Sequence, residues 1–308
     1  MPGSRIAIVG VGQVGAAAAY ALIRSSIAAE LLFVDINVNL RDGQVRDLSD
    51  VAYSCNSRTR VRAANYHEAG QCDIVVITAG SRHNLGETSL DQVYRNISIV
   101  KTAVDAMTPF KSDAILLVVS SPVDLLTSLA LKLSQLPPSQ VLGSGTYLDS
   151  VRLRGMLADK IEVAAKSIDL FVLGVQGESQ VTAWSAATVG GVPIDKCLSA
   201  GIPINRAELS SECKNRSQSI VRAKGATPFG IASIVSSICS AIVFDKRTVH
   251  PLSHFQPSFG CCFSLPVVLG IKGIERTVKV PLDRDEDVQI ADSAIALKMM
   301  IDQVSKNW

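Results

Sequence analysis

The stretch Gly10-Val11-Gly12-Gln13-Val14-Gly15 has the spacing of a phosphate-binding turn. In that pattern Gly10 permits a tight turn, Gly12 lets backbone approach a pyrophosphate, and Gly15 lets a helix lie close on a sheet. The pyrophosphate then rests on free N–H groups at the start of the helix that opens with Gln13 and Val14. Taken alone the pattern is weak, since glycine-rich turns also occur where no nucleotide binds. Here it follows a strand-like run at residues 5–9 and opens an alanine-rich helical segment at residues 13–25. Asp35 ends the next strand, twenty residues after Gly15. A carboxylate there accepts hydrogen bonds from the adenosine ribose and repels a 2′-phosphate, so NAD is expected rather than NADP.

Such a turn needs a frame to hold it. The N-terminal half alternates strands at residues 5–9, 31–34, 73–78 and 114–119 with helices at 13–25, 40–53 and 90–107. Continuous apolar runs such as DIVVIT and AILLVV suit central parallel strands covered on both faces. The alternation predicts an α/β fold, a Rossmann doubly wound parallel sheet with right-handed crossovers. After about Gly143 the rhythm changes. Helices are expected at 149–163, 206–222, 231–244 and 285–304, and strands at 168–173, 262–269 and 274–280, giving an α+β second domain.

Composition narrows the function. The 308 residues are 47% hydrophobic and carry a net charge of +2, which excludes a disordered chain and argues against a nucleic-acid or membrane binder. Residues 225–244 hold no charge, but their Pro, Gly and Ser content fits a buried core helix better than a membrane span. No signal peptide is read at the start. Seven scattered cysteines without Cys-x-x-Cys spacing point to reduced thiols in the cytoplasm rather than a disulfide or zinc framework. Cys261–Cys262 and Trp184 are read as core. His67, His250 and His254 have no metal-ligand spacing, so no metal is expected. Lys214, Arg216, Arg222 and Lys224 read as a solvated helix face.

Several segments together resemble the L-2-hydroxyacid dehydrogenases, the lactate and malate dehydrogenase family. They are the fingerprint with Asp35, Thr78-Ala79-Gly80, Gly86-Glu87-Thr88, Arg95-Asn96, Pro122-Val123-Asp124, Gly143-Ser144-Gly145-Thr146, Leu148-Asp149-Ser150, Arg152 and Lys224-Gly225-Ala226-Thr227. The likeness keeps the family's order over essentially the whole chain, and its flavour is nearest to fungal lactate dehydrogenase-like proteins. It implies an NAD domain over residues 1–143 and a substrate domain over residues 144–308, in a homodimer or homotetramer that takes a small-molecule substrate. It also implies that Thr78, Ala79, Gly80 and Val119 line the cofactor crevice. The family's chemistry is hydride transfer between C2 of a hydroxy acid and the nicotinamide. A histidine passes the hydroxyl proton and an aspartate holds that imidazole. One arginine grips the substrate carboxylate, a second on a mobile loop polarises the reacting C–O bond, and an asparagine orients the oxygen.

Carried over residue by residue, the match is incomplete. Asp149 and Arg152 match the aspartate and the carboxylate-binding arginine, and their i, i+3 spacing puts them on one helix face. Thr227 matches a substrate-pocket position. The family's Gly-Glu-His-Gly-Asp-Ser is here Gly174-Val175-Gln176-Gly177-Glu178-Ser179, and Gln176 cannot act as a general base. The loop arginine is replaced by Ser89 and the asparagine by Ser121, which is still expected to cap the helix starting at Pro122. Positioned acid–base catalysis is worth roughly 10²–10⁴ in rate and stabilisation of the developing oxyanion about another 10²–10³. Ordinary lactate or malate turnover is therefore expected to be weak.

Arg82 and His83 lie on the expected mobile loop, where either they partly replace the missing groups or they are a solvated pair. Asp149 either has a raised pKa suited to acid–base work or is simply paired with the Gln176 amide. Three functions stay open. One is an NAD-binding enzyme repurposed for another substrate, with isomerase, cyclase or lyase chemistry among its options. The second is a 2-hydroxyacid oxidoreductase with substitute catalytic groups. The third is an NAD-binding protein without turnover.

Overall fold

The computed structural model describes residues 3–81, 88–197 and 204–306. Its first part runs β1 (Arg5–Val9), α1 (Gln13–Arg24), β2 (Glu30–Val34), α2 (Val38–Ser54), β3 (Arg60–Ala63), α3 (Tyr66–Gly70), β4 (Ile74–Ile77), α4 (Ser89–Met107), β5 (Ile115–Val118), α5 (Val123–Ser134) and β6 (Val141–Gly143). The six strands are parallel and lie in the order β3-β2-β1-β4-β5-β6. That order reverses direction between β1 and β4, which opens a crevice beyond their C-terminal ends. The doubly wound sheet read from the apolar runs is therefore present. All four residues of β4 and of β5 are buried, as strands with helices on both faces require. Alternate residues of β1 serve opposite cores. Ile6 and Ile8 pack toward α1, while Ala7 and Val9 pack toward α4 and α5.

The second part runs α6 (Tyr147–Ile161), β7 (Ile168–Asp169), β8 (Val172–Leu173), β9 (Val181–Thr182), β10 (Thr188–Val189), β11 (Val192–Pro193), α7 (Ile194–Cys197), α8 (Arg206–Lys224), α9 (Pro228–Val243), β12 (Thr248–Gln256), β13 (Cys261–Gly270), β14 (Gly273–Thr277) and α10 (Arg284–Ser305). The strand expected at 168–173 is two separate pairs instead. β7 bonds to β10 and β8 to β9, and these belong to different small sheets.

The sheet does not stop at β6. β12 joins it antiparallel through Ser253 opposite Gly143, and β13 and β14 follow, so nine strands form one sheet across both parts. Gly143 leaves no room for a side chain, because a Cβ there would lie 3.0 Å from the Ser253 Cβ and run into the Thr127 hydroxyl. The uncharged segment forms α9, whose Ile234, Val235, Ile238 and Cys239 are buried in the core shared with α1. No helix among the described residues is long and apolar enough to cross a membrane. Cys261 and Cys262 are buried in β13, and all seven cysteines are free thiols.

Candidate active site

The glycine-rich turn sits where β1 ends. Gly10 has φ +93°, and a Cβ there would lie 2.5 Å from Ala79 Cα, so only glycine fits. The Thr78 hydroxyl donates to the Gly10 carbonyl at 2.6 Å and locks the turn to the exit of β4. A Cβ on Gly15 would run into that same carbonyl, which holds α1 tight against the sheet. Gly12 differs, because its Cβ would meet nothing within 4 Å. It is the N-cap of α1, and no side chain caps that helix end. By contrast α3, α4 and α10 each start with a reciprocal capping box. The uncapped first turn at Gln13 and Val14 and the open space over Gly12 fit an anionic pyrophosphate. Asp35 is fixed beside it, accepting the Val11 N–H on Oδ2 and the Asn37 N–H on Oδ1, both at 2.8 Å. Each oxygen keeps a lone pair for a ribose hydroxyl. This donor and acceptor set fits NAD.

The exits of β4 and β5 form the adjoining wall. The Ser120 hydroxyl donates to the Ala79 carbonyl at 2.6 Å, and Val119 is buried next to it. A Cβ on Gly80 would lie 3.5 Å from Asn96 Oδ1. Asn96 accepts the Ser81 N–H at 2.8 Å and donates to the Ser121 carbonyl at 2.8 Å, so it ties the two exits together. That tie is a role the sequence reading did not assign to Asn96. Ser121 itself does not cap a helix. α5 begins at Val123 with Pro122 as its N-cap and no side-chain cap bond, so the expected serine cap is corrected. Arg82 and His83 lie outside the described residues, as does the side chain of Ser89.

Asp149 and Arg152 stand on the first turns of α6, which follows β6 and so opens on the same edge of the sheet as the glycine turn. Asp149 is buried, and Arg152 Nη1 lies 3.4 Å from its Oδ1. The Ser217 hydroxyl of α8 also accepts from that guanidinium nitrogen. Burial raises the Asp149 pKa, and the nearby Arg152 charge and the approaching Gln176 side chain pull it only partly back. The Gln176 side chain thus approaches Asp149. The Gln176 backbone N–H donates at 2.6 Å to Oδ2 of a second buried carboxyl, Asp124 of α5. Burial pushes Asp124 up to about 7, against the smaller pull of the Ser253 hydroxyl and the Gln176 N–H. Asp124 Oδ1 and Ser253 Oγ are both buried without a hydrogen-bond partner.

Other expected groups fall apart in space. Thr227 is the N-cap of α9, is half-buried, and makes no cap bond. His250 stacks on Tyr147 at 4.4 Å and is pushed down to about 4 by burial and Arg154. His254 is bonded to Leu252 and Thr277, and His67 lies in α3. None of these three imidazoles is hydrogen-bonded to Asp149. Lys214 is not merely solvated, since it donates to the Glu178 carbonyl at 2.9 Å and fastens α8 over the segment that carries Gln176. A large cavity of about 1190 Å³ lies at the opposite edge of the sheet, among Ser4, Ile27, Thr59, Asp73 and Val243, far from these groups in the topology.

Comparison with known proteins agrees with this fold and with the glycine turn for NAD. A family model described as lactate/malate dehydrogenase, NAD binding domain, matches residues 4–143, and one described as the alpha/beta C-terminal domain matches residues 146–307. The chain is 41% identical over 295 residues to L-lactate dehydrogenase A of Rhizopus oryzae, covering 96% of this chain and 91% of that protein. It is 37% identical over 301 residues to an L-lactate dehydrogenase of Synechococcus sp. (strain JA-3-3Ab), covering 96% and 98%. Among solved structures it resembles a lactate dehydrogenase from a Medee basin deep-sea metagenome library, with TM-score 0.93, 31% identity and coverage of 99% and 100%. The ligand-bound minor L-lactate dehydrogenase of Enterococcus mundtii gives TM-score 0.92, 32% identity and coverage of 98% and 98%.

Proposed function

Because the chain belongs to the lactate/malate dehydrogenase family, with NAD as its cofactor, we propose that it is an enzyme of that family repurposed for a different small carboxylate substrate. Its chemistry on that substrate is of the isomerase, cyclase or lyase type and needs no net redox change. The observation that carries this reading is Gln176 standing beside buried Asp149. A neutral amide cannot take the hydroxyl proton of a 2-hydroxy acid. A buried carboxyl whose pKa is raised can give or take one.

In this reading Arg152 holds the substrate carboxylate, and Ser217 keeps the guanidinium turned toward the pocket. Asp149 moves the proton at Oδ2, the oxygen that Arg152 does not contact, and Gln176 orients the bound oxygen with its amide. NAD, when bound, supplies the nicotinamide, and the glycine turn with Asp35 anchors it. We place the protein in the cytoplasm, supported by seven free thiols. We also infer a homodimer or homotetramer, supported by large apolar side chains left in solvent, such as Tyr53 at 79% and Phe229 at 73%.

A second reading, an NAD-dependent 2-hydroxyacid oxidoreductase with substitute catalytic groups, has its own support. The relatives at 33–41% identity are named L-lactate dehydrogenases. The two separate in one assay, which follows NADH oxidation with a panel of 2-keto acids. The first reading expects negligible turnover of pyruvate and oxaloacetate. It also expects Gln176→His with Ser89→Arg to raise that turnover by about 10²-fold or more. Brisk reduction by the unaltered chain overturns it in favour of the second. Calorimetry with NAD then shows whether a chain inert to all substrates still binds its cofactor.

A further inference from the structure

The corner that holds Asp149 and Arg152 is closed by α8. Cys213 and Ser217 are four residues apart on that helix, as are Lys214 and Gln218, so the four form two adjacent rows. Each of them touches the site. The Cys213 thiol donates to the Asp149 carbonyl at 3.3 Å. Lys214 donates to the Glu178 carbonyl at 2.9 Å, and the Gln218 amide donates to Glu178 Oε1 at 3.3 Å. The fourth contact joins Arg152 Nη1 to Ser217 Oγ. Three other bonds thus seat α8, and Ser217 keeps its place without help from the arginine it meets.

A guanidinium has five N–H donors, one on Nε and two on each Nη. Among the described residues Arg152 makes polar contacts through Nη1 alone, with Asp149 Oδ1 at 3.4 Å and with Ser217 Oγ. Two acceptors therefore face the two hydrogens of Nη1. The three unspent donors are on Nε and Nη2. The side chain is only 10% exposed, yet neither Nε nor Nη2 is fully enclosed, so these donors face open space. Nε–H and the adjacent N–H of Nη2 run parallel, at the spacing of a carboxylate's two oxygens. The alternative end-on fork takes one hydrogen from each Nη, and its Nη1 half is already engaged.

We propose that a carboxylate ligand binds Arg152 side-on, along the Nε–Nη2 edge, and that Ser217 is the positioning residue that commits the guanidinium to this pose by occupying Nη1. The pose rests on the reading of Arg152 as the carboxylate site. Ser217 does not touch the ligand. With Asp149 it brackets Nη1, so an arriving carboxylate meets a fork whose rotation is already restricted. The restraint is worth about threefold to tenfold in affinity. Ligand and Asp149 also meet different edges of one cation, which keeps the two like charges apart.

Nitrogen-15 NMR of the full chain, labelled at arginine Nε and titrated with oxalate with and without NAD, tests the pose. The Arg152 signal is the one missing from Arg152→Lys. It is expected to move as oxalate saturates the site. Calorimetry with oxalate tests Ser217. Ser217→Ala is expected to melt close to wild type, to bind oxalate about threefold to tenfold more weakly, and to show a smaller Nε shift, because side-on and end-on poses then mix. Ser217→Thr, which keeps the hydroxyl, is expected to restore both values.

Oxalate binding that is lost in Arg152→Lys but leaves the Nε signal unmoved overturns the side-on pose, while Arg152 stays the carboxylate site. Equal oxalate affinity in wild type and Ser217→Ala overturns the role of Ser217. If oxalate fails to bind, or binds Arg152→Lys as well as wild type, Arg152 is not the carboxylate site and the pose falls with it.

Discussion

Asp124 gives the protein a pH-dependent stability whose sign follows from its surroundings. An exposed aspartate ionises near 3.8, and burial moves this one to about 7. Below the lower value both folded and unfolded chains are protonated, and no difference arises. As the pH rises through that window the unfolded chain loses its proton first, so the folded state grows less stable until about pH 7 and then levels off. The loss is about 4 kcal/mol at most. Asp124→Asn keeps an acceptor for the Gln176 N–H and removes the ionisation. Its urea midpoint is expected to exceed the wild-type value at pH 8 by much more than at pH 5. Asp149 and Arg152 were legible in the sequence as neighbours on one helix turn, because their relation is local. Asp124 was legible only as part of a motif. Its isolation is made by Gln176 and Ser253, 52 and 129 residues away in the chain, and nothing local records that.

At the scale of elements, the second and third glycines of the turn do different jobs that one pattern conceals. Gly15 is a packing residue, and Gly15→Ala is expected to cost about 1–3 kcal/mol of stability by pushing α1 off the Gly10 carbonyl. Gly12 faces open space in an extended conformation that any residue adopts. Gly12→Val is therefore expected to melt close to wild type while binding NAD at least about tenfold more weakly, which calorimetry reads. Strands with unbroken apolar runs, such as β4 and β5, were readable from their composition. β12 was not. His250, Pro251, Ser253 and His254 hide its periodicity, and it is held by nine register pairs with β13. Two-residue strands such as β7 and β8 carry too little pattern to separate, so one strand was read where the chain changes sheet.

For the whole molecule, a change of rhythm near Gly143 suggested a second domain, and hydrogen bonding carries one sheet through both halves. The prediction is a single cooperative unfolding transition, coincident by near- and far-ultraviolet circular dichroism. The separate piece 1–143 would leave the β6 edge bare, and it is expected to associate or aggregate rather than stay monomeric, as sedimentation would show. The missing signal was the long-range pairing of Ser253 with Gly143.

That pairing has a mechanical outcome. Ser253 meets Gly143 across the seam and is also a neighbour of Asp124. A slip of the two halves by one residue would send Ser253 to the other face of the sheet and away from that carboxyl. The register of the seam therefore also decides which side chain stands beside the buried Asp124 carboxyl.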